Sequence, residues 1–141
     1  MVVGMSGALI QGVRGATEDI DLWFEKLSDP RIGESVRAAG GVWLSGSFGP
    51  GPPRIGGESL SERFDVVVHM SGLRDFASEY EGATFEIVDG VSIPLLPLSR
   101  ILESKRAAGR PKDRALLHAL EDALALVEAG ERPAGSKKPG E

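Results

Sequence analysis

The chain has 141 residues, no cysteine and a formal net charge of −5. That length suits one ordinary domain with its own core, and a hydrophobic share of 41% marks globular rather than disordered material. Absence of cysteine excludes disulfides and thiolate metal sites. No run approaches a membrane span and no basic-then-apolar leader is present, so a soluble cytoplasmic protein without membrane contact is the default expectation. The acidic balance argues against a broad duplex-binding surface, which needs clustered positive charge.

Residues 2–12 read as an apolar strand end, a Gly/Ser turn at Gly4, Ser6 and Gly7, and a short helix over 5–12. Such a turn frees backbone N–H groups at a helix N-terminus, which favours phosphate. Residues 18–24 read as a strand carrying Asp19 and Asp21. With period-two alternation both carboxylates point one way, and Ile20 points oppositely into a core. Adjacent carboxylates repel unless a cation lies between them. The pair suits Mg²⁺, or it is a strand end with two solvated charges. Pro30 to Gly40 reads as a weakly amphipathic helix ended by Gly40-Gly41, and Val42 to Leu44 as a short strand. Gly46 to Gly57 is too rich in Gly and Pro for regular structure and reads as a mobile loop with a poorly ordered tip. Phe64 to Met70 reads as a strand whose Asp65 is either a third carboxylate or a polar turn residue.

Leu73 to Tyr80 reads as a helical turn or a connection. Thr84 to Val88 and Val91 to Leu95 flank Asp89-Gly90, a hairpin signal. A helix opens at Ser99 and runs to about Ala108, and Pro111 starts another. Leu116, Leu117, Leu120, Leu124 and Val127 give that second helix an apolar stripe. Arg100, Lys105, Arg106, Arg110, Lys112 and Arg114 make a basic run in an acidic chain: a solvated helix face or an anion site. Gly109-Arg110-Pro111 breaks the helix, so Arg110 can turn back toward Lys105. Asp113 reads as a cap or pairing partner of the last helix, or as a group that orients Lys105. His69, in a strand, and His118, beside the leucine stripe, read as structural. Trp23 and Trp43 read as core or edge packing. Together these patterns predict an α/β (α+β) fold with a small mixed, mostly antiparallel sheet and flanking helices over residues 1–129. A flexible tail follows over 130–141.

The order of these elements resembles the nucleotidyltransferase superfamily, the polymerase-β-like fold, and within it the minimal and AbiEii-type toxin nucleotidyltransferases. The resemblance rests on Gly4 to Ser6, Gly12, Arg14, Thr17, Asp19-Ile20-Asp21 and Asp65. It rests also on the block 88–113, with Lys105, Arg110, Lys112 and Asp113. Met5 and Arg14-Gly15 depart from the family pattern. The resemblance implies Mg²⁺-dependent transfer of an NMP group from a nucleoside triphosphate to a hydroxyl of a protein, an RNA or a small molecule. Asp19, Asp21 and Asp65 would be the catalytic, metal-holding residues for two Mg²⁺ ions. Gly4, Ser6, Gly7, Lys105 and Arg110 would bind the nucleotide. It equally admits a degenerate, non-catalytic binding or regulatory protein of the same fold. Relatives carry a helix before the first strand. Its absence predicts exposed apolar surface at Val2 and Val3 and association with a helical partner, as in a toxin–antitoxin or two-component system, or with a second copy.

Overall fold

The computed structural model describes residues 1–46 and 51–131. The chain runs β1 (Val2–Val3), α1 (Gly4–Ile10), β2 (Ile20–Trp23), α2 (Pro30–Ala38), β3 (Val42–Leu44) and β4 (Arg54–Gly56). It continues with β5 (Phe64–Val67), α3 (Phe76–Tyr80), β6 (Thr84–Val88), β7 (Val91–Leu95), α4 (Leu98–Ala108) and α5 (Pro111–Glu128). This is a mixed α/β architecture. No helix among the described residues is long and apolar enough to cross a membrane.

The main sheet has the order β5-β2-β1-β7-β6. β1–β2 and β6–β7 are antiparallel, whereas β1–β7 and β2–β5 are parallel. The sheet is therefore evenly mixed rather than mostly antiparallel. The crossovers between β2 and β5, and from β1 through the chain to β7, are long enough to carry helices, which permits parallel pairing. A second, two-stranded sheet pairs β3 with β4. β4 falls inside the segment expected to be a loop. Arg54, Ile55 and Gly56 pair with Leu44, Trp43 and Val42, and Ile55 is buried, so tertiary burial overrides a Gly/Pro-rich composition. The tip of that loop, 47–50, and residues 132–141 of the expected tail lie outside the described residues.

Alternation along β2 separates two cores. Trp23 packs with Val3, Ala8, Leu96, Ile101 and Leu120, the core that α1, α4 and α5 cover. Leu22 packs with Ile32, Val36, Ile55 and Val66, the core beneath α2 and the small sheet. Fully buried side chains such as Ile101 and Leu120 each contribute about 1.5 to 3 kcal/mol. Ile20, expected in a core, stands at the strand's first position and is 36% exposed. Val127, the last residue of the expected leucine stripe, is likewise exposed, and Ala123 takes the buried place on α5. Val2 and Val3 are 7% and 0% exposed. They lie on the central strand, so the expectation of exposed apolar surface there is overturned.

The ends of the elements follow local chemistry. Asp29 caps α2 by accepting from Arg31 N–H at 2.9 Å, with Pro30 next to it. Past its other end Gly41 N–H reaches Val36 O at 2.9 Å. At the end of α5, Gly130 N–H donates to Val127 O and Glu131 N–H to Leu126 O. This is the double-bonded helix stop, so Gly130 belongs to the helix cap rather than to the tail. The Asp89-Gly90 turn has positive φ at both residues, +49° and +79°, which matches the twist of a two-residue hairpin. Helix α3 is tied to α4 by an ion pair: Arg100 grips Glu79 through two bonds of 2.8 and 2.7 Å, and Arg74 N–H adds a third. Glu79 is 2% exposed, and these bonds pull its carboxyl down to about 2.

Candidate active site

β2 and β5 run parallel in a register that sets Asp21 directly beside Asp65. Asp19 precedes β2 by one residue. All three carboxylates line one cleft of about 650 Å³. Its far wall comes from the junction of α4 and α5, which contributes Lys105, Arg110 and Lys112. Acidic and basic side chains distant in sequence thus face one space.

The electrostatics centre on Asp21. Burial pushes its carboxyl up, the charges of Asp19 and Asp65 push it further, and Lys105 and Lys112 oppose them; the result is about 6. Burial is the largest cause, and the two neighbouring aspartates add to it. Thr17 Oγ1 donates to the Asp19 carbonyl at 3.2 Å and to its carboxylate at 3.5 Å, which draws the 17–19 turn together.

Asp21 is held from behind by α1. Gly4 has φ +61°, and a Cβ there would overlap Asp21 Oδ2. Glycine is thus required twice, for the backbone angle and for the room that Asp21 takes. Ser6 is 4% exposed; its hydroxyl donates to Val3 O at 2.9 Å and accepts from Asp21 N–H at 3.0 Å. Gly7 is buried against the Val2 carbonyl and Ile101. Of the five residues expected to bind the nucleotide, Gly4, Lys105 and Arg110 border the cleft, and of the three in the Gly/Ser turn only Gly4 does. Ser6 and Gly7 are not among the residues lining the cleft, and the Ser6 hydroxyl ties α1 to β1 and β2.

The basic wall is organised by Asp113, which is fully buried. Lys105 Nζ donates to its Oδ1 at 3.1 Å, and Arg110 Nε donates to its Oδ2 at 2.6 Å. Burial alone would raise the Asp113 carboxyl, but the Arg110 and Lys105 hydrogen bonds outweigh it and bring it below the ordinary carboxylate range. Asp113 also accepts from Arg110 N–H at 3.3 Å, so one carboxylate both caps α5 and fixes two cations at the cleft. The break at Gly109, with φ +61°, lets Arg110 turn back beside Lys105.

Lys112 and His69 also line the cleft, and sequence reasoning assigned neither to the site. Lys112 had a signal, since it belongs to the basic run beside Asp113. His69 had none: β5 ends at Val67, so His69 stands exposed past the strand rather than within it. His118, on the exposed face of α5, lies 3.5 Å from Asp122.

Asp19, Asp21 and Asp65 offer hard oxygen donors, the type Mg²⁺ prefers. Among the described residues no three acidic or histidine side chains converge into a closed ion cage. Mg²⁺ ordinarily takes one or two carboxylates and completes its shell with waters and substrate phosphates, so the donor chemistry fits an ion that arrives with its substrate. Compared with protein-family models, with curated proteins and with solved structures, the chain matches none.

Proposed function

We propose that the cleft binds a nucleoside triphosphate with Mg²⁺ and transfers its NMP group to a hydroxyl acceptor. The observation that carries this reading is the facing of Asp19, Asp21 and Asp65 against Lys105, Arg110 and Lys112 across one cleft. A metal–triphosphate needs both walls: carboxylates for the cation and ammonium or guanidinium groups for the phosphates. Bound Mg²⁺ supplies neutralisation of the triphosphate charge. Lys105 and Lys112 meet the β- and γ-phosphates, and Arg110 reaches them from the mouth. Asp65 accepts the proton of the attacking hydroxyl. The acceptor oxygen bonds to the α-phosphorus, the bond from that phosphorus to the bridging oxygen breaks, and pyrophosphate leaves with its electron pair.

Calorimetric titration of ATP, GTP, CTP and UTP, with and without Mg²⁺, tests the binding half. At least one nucleotide is expected to bind only with the metal. Absence of all four would overturn the reading. A radiolabelled transfer assay tests the chemical half.

One observation favours the alternative of a non-catalytic member of this fold. The Ser6 hydroxyl, which an active enzyme would turn toward phosphate, is committed to Val3 and Asp21. Nucleotide binding without any transfer, across protein and RNA acceptors, would select that alternative.

A further inference from the structure

The charged walls are not the whole lining of the cleft. Two stretches without carboxylate, lysine or arginine add to it: Gly4 and Met5 with Ala16 and Thr17, and the run from Val68 to Ser71. A metal–triphosphate held between the charged walls must rest its nucleoside against one of these stretches. In the first, Met5 is buried and the Thr17 hydroxyl is already turned to Asp19.

The second stretch carries a ring. His69 is exposed, and among the described residues that line the cleft it is the only one with an aromatic side chain. No hydrogen bond or ion pair to another described residue occupies its imidazole. The other planar group of the cleft, the Arg110 guanidinium, is taken by Asp113. Val68, 55% exposed, adds apolar surface next to the ring. The chain behind His69 is anchored. Met70 packs against the core that α1, α4 and α5 cover, and Leu73 N–H donates to Met70 O at 3.3 Å. Gly72 has φ +71°, and a Cβ there would overlap Ala107 of α4. The turn after His69 is thus pressed onto the helix that carries Lys105.

We infer, resting on the nucleotide reading of the cleft, that His69 is its base-contacting residue, the ring stacking on the base of the bound nucleoside triphosphate. Lys105, Arg110, Lys112 and the aspartates place the phosphates and the metal and leave the base unassigned. Every base presents a flat π-face, and a histidine ring is one of the side chains on which bases stack. A ring on an anchored turn has little freedom left to lose when the base arrives, which keeps the cost of binding small. Such a stack changes affinity by about tenfold or more.

Calorimetry of the full chain in Mg²⁺ with two probes separates the ring from the phosphates. One probe is whichever of ATP, GTP, CTP and UTP binds best, and the other is inorganic tripolyphosphate, which has the charge without the base. Wild type should bind the nucleotide at least about tenfold more tightly than tripolyphosphate. His69→Ala, checked for folding by circular dichroism, should lose about tenfold in nucleotide affinity and nothing for tripolyphosphate. His69→Phe, which keeps a flat ring without the nitrogens, should restore the nucleotide affinity. Unchanged nucleotide affinity in His69→Ala overturns the base contact, and a fall in transfer alone would give His69 to the acceptor instead. Equal losses for both probes, or no recovery in His69→Phe, overturn stacking as well. A wild type that binds tripolyphosphate as tightly as the nucleotide overturns the base contact but leaves the charged cleft standing. A wild type that binds neither probe overturns the nucleotide reading itself, and the base contact with it.

Discussion

The carboxylate of Asp21 fills the space where a side chain on Gly4 would begin. One residue closes the back of the cleft and the other supplies its charge, so neither can change alone. Gly4→Ala places a methyl group into Oδ2 and adds the left-handed backbone penalty of about 1 to 2 kcal/mol. Thermal unfolding should show that loss. Mg²⁺-dependent nucleotide binding should weaken by at least about tenfold, since displacing Asp21 need remove only about 1.4 kcal/mol of binding. Unchanged affinity in a folded Gly4→Ala variant would separate Asp21 from the binding chemistry.

Asp21→Asn should stabilise the metal-free protein at neutral and higher pH. The folded Asp21 carboxyl titrates near 6, above its ordinary 3.8. A carboxyl raised in this way favours the fold while protonated. Its contribution is complete below about pH 4 and is lost as pH rises through about 6. The Asn variant removes that loss, a gain of about 1 to 2 kcal/mol at pH 8 after allowance for solvent, and no gain near pH 3. Urea melts at the two pH values check the sign. Nucleotide binding in Mg²⁺ should fall in the same variant.

Lys105→Ala should weaken triphosphate binding more than monophosphate binding, because its ammonium is placed to meet the outer phosphates. Calorimetry with ATP and AMP, or the corresponding pair for the preferred base, compares them. Equal losses would place Lys105 elsewhere. Asp113→Ala should act differently. It leaves Lys105 and Arg110 without the carboxylate that aims them, and removing one partner from a buried ionic cluster costs about 3 to 5 kcal/mol. Its melting temperature should therefore fall well below that of Lys105→Ala.

Glu79→Gln isolates a structural ion pair from the site. Glu79 in the fold titrates near 2 rather than 4.5, so its stabilising contribution is present above pH 4.5 and lost as pH falls toward 2. The Gln variant should be less stable than wild type at pH 7, by about 3 kcal/mol, and the gap should close in acid. Glu79 does not line the cleft, so nucleotide affinity well below the melting temperature should be unchanged. A large affinity loss would link α3 to the cleft.

Local signals were legible where one segment carried all its own instructions. The β6–β7 hairpin stands where the Asp-Gly turn places it, and α2 begins at Pro30. The break before Pro111 follows from proline and glycine chemistry. Strand β4 was not legible, because its Gly/Pro-rich surroundings hide a single buried Ile55 whose pairing with Trp43 makes the strand. The bond from Asp21 N–H to the Ser6 hydroxyl was not legible for a similar reason: nothing local says that the two will meet.

The sequence by itself determined the chemical inventory: three aspartates at strand ends, a basic helix junction, and glycines that permit close approach. Tertiary structure alone decided which of these share a space. The parallel β2–β5 register puts Asp65 beside Asp21, and the fold of α4 onto α5 swings Lys105, Arg110 and Lys112 across from them. It also buried Val2 and Val3 at the sheet centre and left β6 at the edge. Side-chain type and short-range periodicity are written in neighbouring residues. Strand order and register depend on how distant segments bury one another, and no window of sequence contains that sum.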